Sequence, residues 1–150
     1  MKTNYTKTTE NCEQNPNHLI HFDDNFKYKN WRPPEGVYRV ICVDSVVEND
    51  ADVLRFRLTS LHDEIFEYWV RHRFRPEDRK KLRLHLINWL GEAEFRNLTT
   101  NGTIDLKQLY GREADVVVKF ICQGNREPLR VIETIAPAGA LVEVLECVEN

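Results

Sequence analysis

The sequence is poor in the devices that hold cofactors or close a fold covalently. Its six glycines are scattered. None forms the glycine-rich run that brings backbone N–H groups onto a phosphate, which argues against a P-loop or a dinucleotide fingerprint. Four cysteines stand at 12, 42, 122 and 147 without a C-x-x-C pair, so neither a thiolate zinc site nor a disulfide framework is indicated. They read as buried or incidental thiols in a reducing cytosol, a setting in which the Asn97-Leu98-Thr99 sequon carries no meaning. No apolar run approaches the roughly 20 residues of a membrane helix, and residues 1–17 lack the apolar core of a secretory leader. Positive charge is not in excess either: 21 Lys and Arg face 24 Asp and Glu, a net charge of −3. Bulk attraction to nucleic acid or to an anionic membrane is therefore missing, and any polyanion site must be a local patch.

Catalytic constellations are equally scarce. Asp105-Leu106-Lys107 has the acid-x-lysine spacing of a metal-dependent nuclease, but it falls on a helical turn with no upstream acidic partner. No spacing brings Cys42 or Cys122 to His62 or His72 as a nucleophile pair. His18 and His21 lack a third ligand at metal spacing. The expectation is a cytoplasmic, non-catalytic protein with no cofactor and no metal.

What the chain does have is a β pattern. At 150 residues, 41% hydrophobic and 30% charged, it suits one globular domain with tails. Residues 1–30, rich in Asn, Thr, Lys and Glu, read as a disordered or loosely docked arm. The barrel domain is expected over 31–139, with 140–150 as an acidic tail or an extra strand. Trp31-Arg32-Pro33-Pro34 is an extended lead-in, because consecutive prolines forbid helix. A first strand over 37–47 is apolar on both faces, and Glu48-Asn49-Asp50 turns it. The second strand, 53–59, alternates cleanly: Leu54, Phe56 and Leu58 on one side, Arg55, Arg57 and Thr59 on the other. The third, 65–74, places Glu67, Trp69, Arg71 and Arg73 opposite Phe66, Tyr68, Val70, His72 and Phe74. Then the period changes to helical. Pro76-Glu77-Asp78 starts a helix, Leu82, Leu86, Trp89 and Leu90 mark its apolar stripe, and Gly91 caps it. Residues 92–103 read as a polar loop and 105–110 as one helical turn. Strands over 115–122 and 129–135, joined at Gln123-Gly124-Asn125, close the pattern.

The order β-β-β-α-β-β, with three strands in a meander and a helix before a final hairpin, predicts a mainly β fold. It matches a five-stranded OB-type Greek-key barrel with one helix between strands three and four, the helix covering an open barrel end. A helix lying across a flat sheet is the other arrangement with that order. OB barrels bind through the face of strands two and three and the adjoining loops. On this chain that face carries Arg55, Arg57, Trp69, Arg71 and Arg73, with Arg75 and Lys80 just beyond and Arg126 in the last hairpin. Between residues 71 and 83, seven Lys and Arg face two acids. Arginines neutralise phosphates and release counterions. An aromatic ring stacks on a base whatever its identity. The expected function is single-stranded nucleic-acid binding by these eight residues. The alternative is a protein-docking or assembly module whose arginines are a solvated face and whose Trp69 packs under the N-terminal arm. An unpaired edge strand would also allow a homo-oligomer.

Three segments carry a family resemblance: Glu35-Gly36-Val37-Tyr38-Arg39-Val40, the Leu54-Arg55-Phe56-Arg57-Leu58 strand with the helix that follows the third strand, and Leu109-Tyr110-Gly111-Arg112-Glu113-Ala114-Asp115-Val116-Val117-Val118-Lys119. Over about residues 34–136 the chain resembles small OB-fold single-stranded-DNA-binding proteins of phages and mobile elements. The resemblance implies a role in replication or recombination of such an element. The chain departs from the bacterial single-strand-binding pattern in having no glycine-rich linker and no acidic terminus ending in an aromatic.

Overall fold

A computed structural model describes Leu19, Ile20 and residues 26–142. Among the described residues, eight strands and two α-helices follow in chain order: β1 (Tyr28–Asn30), β2 (Gly36–Glu48), β3 (Ala51–Leu58), β4 (Phe66–Phe74), α1 (Arg79–Leu90), α2 (Glu92–Leu98), β5 (Thr99–Thr100), β6 (Thr103–Ile104), β7 (Glu113–Gln123) and β8 (Arg126–Pro137). All of these strands except β5 and β6 form one curled sheet in the order β1-β4-β3-β2-β7-β8. β4 and β8 come into contact across its open side without pairing, so the fold is mainly β and barrel-like.

The alternation in β3 decides which side is inside. Leu54, Phe56 and Leu58 are buried, while Arg55 and Arg57 on the opposite side remain half-exposed. β2 runs between β3 and β7, so it is paired on both edges and apolar for most of its length. A bulge at Val43 shifts its register and turns Asp44 to face Arg55. The Asn49–Asp50 turn has positive φ at both residues, the backbone that a two-residue hairpin of right-handed twist requires.

α1 is preceded by a 3₁₀ turn, Pro76–Asp78, and stops at Gly91, whose φ of 86° suits a residue without Cβ. Leu82, Leu86 and Trp89 turn inward, and the Trp89 ring lies 5.7 Å from Phe56 while its Nε1 donates to the Glu113 carbonyl at 2.8 Å. α1 packs chiefly along β8.

Several expectations need correction. Residues 92–103 are not a polar loop: α2 buries Phe95, and a two-residue hairpin, β5–β6, turns at Asn101-Gly102. One buried ring in a seven-residue helix is too little periodicity to read from sequence. The arm supplies a sixth strand, since β1 pairs in parallel with the start of β4, Tyr28 opposite Phe66 and Asn30 opposite Tyr68. Part of the arm is thus docked on the sheet. At its other end the fully buried Asp115 carboxylate accepts the backbone N–H groups of Gly139, Leu141 and Val142, each at 2.9 Å, and pairs with Arg39. Burial pushes Asp115 up, but the Arg39 bond and the Val142 and Leu141 amides outweigh it and hold the group below the usual carboxylate value. The rest of the expected tail, 143–150, lies outside the described residues, as do His18, His21, Cys12 and Cys147. Of the other thiols, Cys42 is buried and Cys122 exposed.

Candidate nucleic-acid interface

The open seam between β4 and β8 is a cavity of about 580 Å³. One wall is Val70, Arg71, His72 and Arg73 of β4, and the other is Leu129, Arg130, Val131 and Ile132 of β8. Trp31 and Arg32 of the lead-in, Glu48 at the end of β2, and Asp78 and Lys81 at the start of α1 also line it. Six cations thus line the groove (Arg32, Arg71, Arg73, Arg75, Lys81, Arg130) against three carboxylates (Glu48, Asp78, Glu127).

The lead-in takes this path because it has no strand partner beyond Asn30 and is stiffened by Pro33 and Pro34. Pro33 is fully buried and Tyr38 donates its hydroxyl to the Pro34 carbonyl at 2.8 Å. Glu35 accepts the Phe120 N–H at 2.7 Å. The crossing carries Trp31 onto Trp69, with ring centroids 5.5 Å apart.

Of the eight residues expected to bind, the structure brings three into the groove: Arg71, Arg73 and Arg75. Trp69 is on the expected face but only 6% exposed. Trp31 covers it, Lys29 Nζ lies 4.5 Å from its ring, and its Nε1 donates to Glu67. It is a packing residue in this fold, not an open stacking ring. Arg55 is also engaged: Asp44 takes its Nε at 2.6 Å and its Nη2 at 2.5 Å, and this same bond holds Asp44 below its usual value. Arg57 lies 4.0 Å from Glu67. Lys80 and Arg126 are exposed without an ion-pair partner among the described residues, but both lie outside the groove.

Sequence reasoning missed Trp31, Arg32 and Arg130. Arg130 had a legible signal, an arginine opposite an aromatic on a hairpin, and its guanidinium does lie 4.5 Å from the Phe120 ring. Trp31 had none, because its position depends on where the lead-in crosses.

The cations differ in availability. Glu127 is shared by Arg32 at 3.0 Å and Arg130 at 3.1 Å, and Arg71 is 3.6 Å from Glu48. Arg75 is 3.9 Å from Glu77, and Arg73 has no ion pair among the described residues. The buried His72 of the β4 wall shares a 2.7 Å hydrogen bond with His85. Burial first, then His85 and Lys81, push His72 well below its ordinary value, so it is neutral at pH 7.

A second cavity of about 610 Å³ lies between α1, α2 and the β5–β6 hairpin, walled by Leu82, Leu86 and Phe95. Its two arginines are engaged, Arg79 with Asp52 and Arg83 over the Phe95 ring. Among the described residues no group of three His, Cys, Asp or Glu is placed to hold a metal ion, and no helix is long and apolar enough to cross a membrane. Neither protein-family models nor curated proteins give a match to this chain.

Proposed function

We propose that the protein binds single-stranded nucleic acid in the β4–β8 groove, without catalysing a reaction on it. The observation that carries this reading is the coincidence of a half-buried tryptophan and six cations in one open seam. An extended strand suits that seam: phosphates meet Arg73, Arg75 and Lys81, and a base meets Trp31. A neutral ligand would leave the cations unused.

The barrel is on this reading of OB type. β2, β3, β4, β7 and β8 stand for its five strands, with α1 after the third. The order β4-β3-β2-β7-β8 with β4 facing β8 supports that assignment. The groove then lies between the β2–β3 turn and the β7–β8 hairpin, where OB barrels take their ligands. The phage or mobile-element origin belongs to the same proposal. Docking of a protein is the second reading, favoured by Ile121 and Leu129, 50% and 49% exposed on the β7–β8 hairpin.

The test is a titration of labelled oligo-dT at low salt, followed by anisotropy. The wild-type protein binds, and Arg73→Glu with Arg75→Glu removes binding. Failure of the wild-type protein to bind at about 50 mM salt, where such contacts are strongest, refutes the proposal.

A further inference from the structure

The Trp31 ring is not vacant in the free protein. The Arg71 guanidinium lies 4.7 Å from its centroid, and Trp69 lies on it at 5.5 Å. Arg71 is oriented toward that ring from β4 and is braced at a distance by Glu48, 3.6 Å away. A guanidinium is planar, delocalised and close in breadth to a pyrimidine ring, which is why it stacks on indoles.

Resting on the nucleic-acid reading above, we infer that Arg71 is a placeholder on the Trp31 ring, displaced by a base of the incoming strand and transferred to a phosphate. In the free state the planar cation keeps the indole covered and shares the charge of Glu48. When a strand enters, a base takes the ring face, because base–aromatic stacking matches or exceeds a solvent-exposed cation–π contact. Arg71 does not lose its interaction: a phosphate replaces Glu48 as its anion. A strand with bases and phosphates compensates both halves of the exchange. A ligand offering bases alone must displace Arg71 without giving it a new anion. Arg71 thereby favours a charged, base-bearing chain over a neutral one, which makes it a specificity residue.

The inference is tested with two thymine oligomers of equal length, one DNA and one peptide nucleic acid with an uncharged backbone. Wild-type protein, Arg71→Ala, Trp31→Ala and the double variant are compared. For Arg71→Ala the expected result is that peptide nucleic acid binds about two- to fivefold more tightly, the size of one exposed cation–π contact. The same variant loses about 0.7 from the salt slope for DNA, one phosphate contact. The gain for peptide nucleic acid disappears in the double variant, because without the ring there is nothing to uncover. Arg71 is half-exposed on a strand, so its removal leaves the fold intact. Arg71→Lys supplies an independent check: the compact ammonium keeps the salt slope while the planar cover is gone. If DNA binds but Arg71→Ala leaves peptide nucleic acid unchanged or weaker, the placeholder is refuted and the groove reading survives. If the wild-type protein binds neither oligomer, both fall together.

Discussion

Glu127 holds two of the six groove cations, Arg32 at 3.0 Å and Arg130 at 3.1 Å. All three side chains are at least partly exposed, so neither pair adds much to folding stability, and Glu127→Gln leaves the fold in place. Its consequence for binding is larger. A cation already paired with a carboxylate releases few counterions when a phosphate arrives; a freed one contributes fully. Each phosphate contact adds about 0.7 to the slope of log affinity against log salt for a single strand, so two freed cations steepen it by up to about 1.4. Between 50 and 200 mM salt that difference is a factor of about 7 in how much affinity is lost. The variant is also expected to bind more tightly than wild type at the low-salt end. Anisotropy of a labelled oligo-dT at four or five salt concentrations reads both quantities. An unchanged slope and affinity, in a protein whose wild-type form does bind, would place the ligand outside this groove.

Three further outcomes follow from contacts already described. Arg55→Ala leaves oligonucleotide affinity within about twofold of wild type, because Asp44 already occupies that guanidinium; a loss of tenfold or more would return Arg55 to the site. Asp115→Ala strands three backbone N–H groups and removes the ion pair with Arg39. Leaving such buried donors unsatisfied costs about 1–3 kcal/mol, read as a lower denaturant midpoint at unchanged slope. The His72–His85 pair makes stability pH-dependent. Both groups lie below their ordinary value when folded, His72 through burial, His85 and Lys81, and His85 through burial and Lys81. The unfolded chain therefore binds more protons just below pH 6.5. Stability is fully present above that pH and falls on acidification, by at most about 1.4 kcal/mol per pH unit for each group. Denaturant titrations between pH 7.5 and 5 check this, and His72→Phe is expected to flatten the slope.

Much of this architecture is written locally. Alternation along residues 53–58 separates Leu54, Phe56 and Leu58 from Arg55 and Arg57 because side chains leave a strand on opposite faces in turn. The switch to helical spacing after Pro76, and the stop at Gly91, depend on neighbours within one or two turns. Such features survive in any context, so they can be read without coordinates. Charge and aromatic content along a strand were legible for the same reason.

Availability was not legible, because it belongs to pairs of residues far apart in the chain. Arg55 and Asp44 meet only because a bulge shifts β2 by one residue. Trp69 is covered because β1, three residues long, pairs in parallel with β4 and delivers the lead-in across it. Arg32 and Arg130, 98 positions apart in the chain, converge on one carboxylate. The chain dictates a basic, aromatic-bearing β face through periodicity that acts over a few residues. Which of those side chains reach the groove is settled by packing between distant segments, where one crossing of the lead-in covers Trp69 and places Trp31 in the groove lining.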